Sequence, residues 1–310
     1  MSRKGALLAP LFSFLPFIPI ESSIKYHRIM PDATSALAPK SSDTRRPVRI
    51  FRWLRLLTHV AVGLVAVGLV FRRVSPAWRA RLTGWWARKL LRILNIVLTV
   101  RGARPSAQAR NLIVAANHVS WVDIFVISAA HPARFVAKSE IRDWPIAGWL
   151  SDKAGTIFIR RTRRSDTAKI NELIHAVLAE GATIGFFPEG TTTKGDKLLK
   201  FHTSLFEPAV ANSATLAPAA ICYRASDGEL NDAVAFIGEL SFAESVGLII
   251  RQKSMIAQIT FAPPIGAAGL SRRELALQAE GAIAAILNVA PPHSYHRFTT
   301  SPDEGAPASG

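Results

Sequence analysis

His118 and Asp123 sit five positions apart in the segment NHVSWVD, an imidazole and a carboxylate within one polar stretch. On a regular helix residues five apart point about 140° away from each other, and on a strand they face opposite sides. The two side chains can therefore meet only if the chain bends between them. The run NLIVAA at 111–116 reads as a short buried strand and IFVISAA at 124–130 as an apolar helix, which puts the bend where it is needed. A carboxylate so placed bonds one ring nitrogen, fixes the tautomer and stabilises the imidazolium when the other nitrogen takes a proton. That is the chemistry of a general base. Further on, FPEGTTT at 187–193 supplies a glycine-containing loop with an acid and hydroxyls, and together the two segments look like acyl-transfer chemistry. The single cysteine, Cys222, lies in the apolar run AAICY and reads as a small buried hydrophobe, and there is no GxSxG elbow. Nothing here points to a covalent acyl-enzyme.

These segments belong to a set of four blocks in order. The first is Asn117, His118, Ser120 and Asp123; the second is Gly155, Phe158, Ile159 and Arg161; the third is Phe187, Pro188, Glu189, Gly190 and Thr191; the fourth is Pro218 within TLAPAAI. The set, over about residues 111–265, resembles the glycerolipid acyltransferases, the family typified by lysophosphatidate acyltransferase (1-acylglycerol-3-phosphate O-acyltransferase). The resemblance implies that His118 and Asp123 are catalytic and that Asn117, Ser120, Arg161, Glu189, Gly190 and Thr191 bind substrate. It also implies transfer of a fatty acyl group from acyl-CoA or acyl carrier protein to the sn-2 hydroxyl of lysophosphatidate, without a cofactor or metal. Its setting would be the inner membrane, with the active site on the cytoplasmic side and membrane lipids as partners.

Two positions depart from the family pattern. Arg160 stands where many members have an acid before the second-block arginine, and Thr192 stands where many carry an arginine after EGT. The usual phosphate contact of the third block is thus missing. Lys194, Lys197 and Lys200, or the run Arg160, Arg161, Arg163, Arg164, could replace it, since cationic side chains suit phosphate groups. The segments 135–150 and 194–206 also resemble a bacterial branch that includes lyso-ornithine lipid acyltransferases, whose acceptor is a zwitterionic aminolipid. Both acceptors stay open, as do a non-catalytic lipid-binding scaffold and a thioester hydrolase.

The charge is uneven. Residues 1–110 hold 20 Lys and Arg against 3 Asp and Glu, and the remaining residues hold 18 against 19. A basic arm fits nucleic acid or an anionic membrane surface, and its neighbours decide for the membrane and against nucleic acid. Residues 54–71 are almost wholly apolar between flanking arginines; about 18 residues reach roughly 27 Å, barely the bilayer core. Residues 76–98 mix tryptophan and leucine with arginine, as in a helix lying in the interface.

The expected organisation follows: an arm at 1–50 with a proline-broken apolar start, membrane-anchoring helices at 51–100, an α/β domain at 101–290 and a disordered Pro, Ser and Gly tail at 291–310. The fold class is α/β, a mixed sheet flanked by helices behind an N-terminal membrane-associated segment. Strands are expected at 112–116, 134–137, 156–160, 183–187, 216–223, 233–238 and 257–261. Helices are expected at 165–180 and from Ser271, where Glu274 completes a capping box. The remaining histidines lack ligand partners at metal-binding spacing.

Overall fold

The computed structural model describes residues 44–71, 73–143, 145–159 and 165–292. The arm before residue 44, the run from Arg160 to Arg164 and the tail from residue 293 lie outside the described residues.

The elements are, in order, α1 (Arg46–Leu69), α2 (Pro76–Ile93), β1 (Ile96–Gly102), β2 (Leu112–Ala116), α3 (Asp123–Ala130), β3 (Ala133–Lys138), α4 (Pro145–Lys153), β4 (Ile157–Ile159), α5 (Ser165–Ala179), β5 (Thr183–Phe186), α6 (Glu207–Ala211), β6 (Thr215–Arg224), α7 (Phe242–Arg251), β7 (Met255–Phe261), β8 (Ile265–Gly266) and α8 (Arg272–Leu287). The strands form one sheet in the order β1-β7-β6-β2-β5-β3-β4, with β8 also on β6. Most neighbours run parallel, and β6 pairs antiparallel with β7 and β8, so the sheet is mixed, as expected.

Helices cover both faces. One core joins the sheet to α1, α2, α3 and α7 through Leu56, Leu90, Leu91, Val126 and Ile249, and the other joins it to α5 and α8 through Ile174, Leu178, Leu275 and Ile283. Each such aliphatic side chain contributes about 1.5–3 kcal/mol by leaving water. The central strand β2 is buried along its whole length, which explains its unbroken apolar run. Pro218, in β6, falls between the Leu216↔Ile265 pair and the Ala219↔Phe261 pair, where the strand changes partner from β8 to β7. A proline belongs at such an interruption of a ladder. Serine caps with reciprocal glutamates open α7, at Ser241 and Glu244, and α8, at Ser271 and Glu274.

Two expectations are corrected. The helix read over 76–98 stops at Ile93, because Asn95 turns the chain through a left-handed conformation (φ 58°) and the β-branched residues after it enter the sheet as β1. Residues 233–238 do not form a strand; they hold a short 3₁₀ turn, Asp232–Val234, and an irregular stretch beyond it.

The apolar stretch at 54–71 is the later part of α1, a 24-residue helix long and apolar enough to cross a membrane. Its buried side is narrow, with Leu56, His59 and Gly63, while Phe51, Leu54, Val62, Val65 and Leu69 are exposed. At Gly63 a Cβ would lie 2.8 Å from Trp86 Nε1, so only glycine lets α1 approach α2 this closely. Near its N-terminus α1 is tied to the end of α7: Arg52 donates to the carbonyls of Ile250 (2.8 Å) and Gln252 (2.5 Å), and Thr44 N to that of Arg251 (2.9 Å). On α2, read from the sequence as an interfacial helix, Trp78 and Trp85 are exposed while Ala87, Leu90 and Leu91 are buried in the core.

Candidate active site

The carboxyl ends of β2 and β5 deliver the first and third blocks to one place. The strands are parallel neighbours with Ala115 opposite Phe186, so Asn117 and His118 emerge beside Phe187 and the loop that follows it. Open α/β sheets present ligands to this edge.

The turn from Asn117 to Asp123 is held at almost every residue. Asn117 is wholly buried and extends the β2–β6 ladder with its side chain: Oδ1 accepts from Ile221 N (2.7 Å) and Nδ2 donates to Ile221 O (2.9 Å). His118 N donates to Glu189 Oε1 (2.7 Å), and His118 O accepts from Thr193 N (2.9 Å). Val119 O accepts from Phe236 N (3.0 Å). The amides of Val119 (2.7 Å) and Ser120 (2.8 Å) both donate to Asp123 Oδ2. Asp123 opens α3, and its carboxylate turns back over the bend it terminates.

That bend brings the two chemical groups together. His118 Nδ1 lies 2.8 Å from Asp123 Oδ2, and the Asp123 side chain is fully buried while that of His118 is one-fifth exposed. With a carboxylate at Nδ1, the ring proton belongs on that nitrogen and Nε2 carries a lone pair; among the described residues Nε2 meets no partner. The ring is stacked on Phe187 at a centroid distance of 4.0 Å and 10°, and Phe187 stacks in turn on Phe135. Asp123 Oδ1 accepts from Tyr223 OH at 2.6 Å. An imidazole presented this way can take a proton from a hydroxyl at its open nitrogen.

The third block supports the first from below. Glu189 is buried, and its two oxygens accept from His118 N and from Leu199 N (2.9 Å). Burial pushes its pKa up to about 7, assisted by the charges of Asp123 and Glu280, even though the two amides favour the ionised form. Gly190 takes a positive φ of 72°, which a side chain would oppose. Thr191 is exposed, Thr192 Oγ1 donates to Phe236 O, and Thr193 Oγ1 accepts from Gly195 N (3.2 Å).

The expected site residues therefore divide. His118, Asp123, Asn117, Ser120, Glu189, Gly190 and Thr191 come together, whereas Arg161 lies outside the described residues. Asn117 and Glu189 were expected to touch substrate; in the structure their polar atoms pair with backbone groups of the protein. Ser120 is wholly buried, and among the described residues its Oγ faces no partner. Lys194, Lys197 and Lys200 are exposed on the same loop. Among the described residues no cluster of three His, Cys, Asp or Glu side chains could hold a metal ion. Sequence reading missed Tyr223, a hundred positions from its partner, although a tyrosine in a buried strand calls for a hydrogen-bond acceptor.

Comparison with known proteins places this geometry. Residues 97–222 match the family model described as Acyltransferase. A lyso-ornithine lipid O-acyltransferase of Pseudomonas aeruginosa is 39% identical over 241 residues, covering 76% of this chain and 91% of that protein. A 1-acyl-sn-glycerol-3-phosphate acyltransferase of Neisseria meningitidis is 34% identical over 215 residues, covering 68% and 83%. The crystal structure of the 1-acyl-sn-glycerophosphate (LPA) acyltransferase PlsC from Thermotoga maritima has the same fold, with a TM-score of 0.59, 20% identity and coverage of 78% and 94%.

Proposed function

The chain belongs to the acyltransferase family and is an acyltransferase of the lysophospholipid type, and from that premise we propose that it transfers a fatty acyl group to the free hydroxyl of lyso-ornithine lipid, with His118 as general base. The observation that carries the chemistry is the 2.8 Å pairing of His118 Nδ1 with a buried Asp123, which leaves Nε2 open on a partly exposed ring. In the reaction Nε2 takes the proton of the acceptor hydroxyl as its oxygen attacks the thioester carbonyl of acyl-CoA or acyl carrier protein. The tetrahedral intermediate collapses, the thiolate leaves and takes the proton back from Nε2, and an ester and a free thiol result. Base catalysis of this kind contributes about 10²–10⁴ in rate. The Thr191 amide, on the exposed rim of the loop, is the candidate donor to the oxyanion, because the Gly190 amide is taken by Phe187 O (3.2 Å).

The acceptor is read from Thr192. The hydroxyl after EGT is turned inward to Phe236 O, so this position presents no cation to a phosphate monoester. Relatives named as lyso-ornithine lipid O-acyltransferases in Pseudomonas, Brucella and Rhodobacter favour the same acceptor. A second reading, lysophosphatidate, is favoured by the Neisseria relative and by the exposed Lys194, Lys197 and Lys200. Helix α1 would bring the domain to the inner membrane, with the site on the cytoplasmic side where thioester donors are made. The test is an acyl-transfer assay on detergent-solubilised protein with labelled thioester, offering both acceptors side by side. Preference for lysophosphatidate overturns the aminolipid reading, and turnover retained in His118→Ala overturns the general base.

A further inference from the structure

A second contact to the Asp123 carboxylate, from Tyr223 on β6, completes the pair. We propose that Tyr223 is a positioning residue for acyl transfer: its hydroxyl, donating to Asp123 Oδ1, holds the carboxylate so that Oδ2 faces His118 Nδ1. The inference rests on the reading of His118 as general base. Asp123 Oδ2 meets the His118 ring and the Val119 and Ser120 amides within 2.7–2.8 Å. Without Tyr223 the buried Oδ1 would have no donor, and a buried carboxylate oxygen left unpaired drives the group toward other rotamers or toward protonation. The 2.6 Å contact closes that route.

The support comes from β6, and it is doubled. Ile221 grips the beginning of the turn through Asn117, and Tyr223, two residues along the same strand, grips its end through Asp123. One strand thus sets both ends of the turn that carries His118. Burial first, and then the Asp123 carboxylate, push the phenol pKa well above its ordinary value, so Tyr223 stays protonated and donates throughout the working range. The other titratable groups against this cluster are Cys222, beside Tyr223 on β6, and Glu189, below the His118 amide.

The test is Tyr223→Phe, which removes one oxygen and keeps the ring. Turnover, acceptor KM, thermal melting and the pH profile of kcat/KM are measured beside wild type, His118→Ala and Glu189→Gln. We expect kcat to fall about 10-fold or more with KM within about 2-fold. We also expect the acid limb of kcat/KM to move to lower pH, because a carboxylate that turns from Nδ1 or takes a proton no longer stabilises the imidazolium. The shift should persist in the Glu189→Gln background, which removes the second acid that titrates there. Unchanged kcat, or a loss of kcat and melting temperature with the acid limb unmoved, overturns the proposal. An active His118→Ala would instead bring down the general-base reading on which it rests.

Discussion

Glu189 offers a test in which the sign of a pH effect decides the matter. Its carboxyl is buried, and its pKa rises from 4.5 to about 7 on folding, chiefly because burial disfavours the charge. Between those values the folded protein binds the proton more tightly than the unfolded chain, so stability falls as pH rises through the window and the contribution is gone above about 7. Integrating over pH 5 to 8 gives about 2–3 kcal/mol of stability lost by this one group. Glu189→Gln has no proton to lose and should escape that slope. Over a domain of this size the wild type should thus drop about 5–10 °C further in melting temperature than the variant between pH 5 and pH 8. Every other titrating group is common to both proteins and cancels in the difference. The measurement is differential scanning fluorimetry in detergent at several pH values. Parallel curves for the two proteins would refute the reasoning, because Glu189 would then be ionised throughout and its two amide bonds would outweigh its burial. Activity should fall in the variant at every pH, since an amide side chain offers one acceptor to the His118 and Leu199 amides where the carboxylate offers two.

Two further changes probe the scaffold around the site. Asn117→Ala should destabilise the fold by about 2–5 kcal/mol, because it leaves the buried N–H and C=O of Ile221 unpaired; urea unfolding checks this, and a loss under about 1 kcal/mol would mean that water reaches the gap. Gly63→Val should force α1 away from α2, since the first added carbon already lies 2.8 Å from Trp86 Nε1, at a cost of about 1–3 kcal/mol. Hydrogen exchange over α1 should then speed up while exchange in β2 and β6 stays slow.

Much of this site could be read before any coordinates, and the reasons are local. The bend between His118 and Asp123 follows from a strand-like run meeting a helix-like one, and β2 lies where its five apolar residues put it. The capping box at Ser271 marks α8, and the same signal at Ser241 and Glu244 is present for α7, a segment to which the sequence reading assigns no element. The failures are tertiary. Residues 233–238 have strand-like composition, yet their backbone serves the site loops, with Phe236 N on Val119 O and Phe236 O receiving Thr192. Asn117 looks like a polar group offered to a ligand until β6 is seen to occupy it, and no pattern along the chain ties Tyr223 to Asp123.

The two best-marked blocks differ in kind, and this bears on how the acceptor can change. On the proposed mechanism the first supplies the reacting ring. In the third, the half-buried Phe187 holds that ring by stacking and the buried Glu189 holds that ring's backbone by a hydrogen bond, so a change there disturbs His118. Thr191 is exposed and Thr192 half-buried, and among the described residues the Thr192 hydroxyl reaches the carbonyl of Phe236. A residue there can pass from arginine to threonine without moving His118, because no bond described for Thr192 runs to the His118–Asp123 pair. On the proposed function, the chemistry and the acceptor preference would thus be carried by adjacent residues under different constraints. A Thr192→Arg variant should accordingly keep its turnover chemistry and shift preference toward a phosphate-bearing acceptor. Loss of activity toward every acceptor would show instead that the hydroxyl's bond to Phe236 is needed to shape the site.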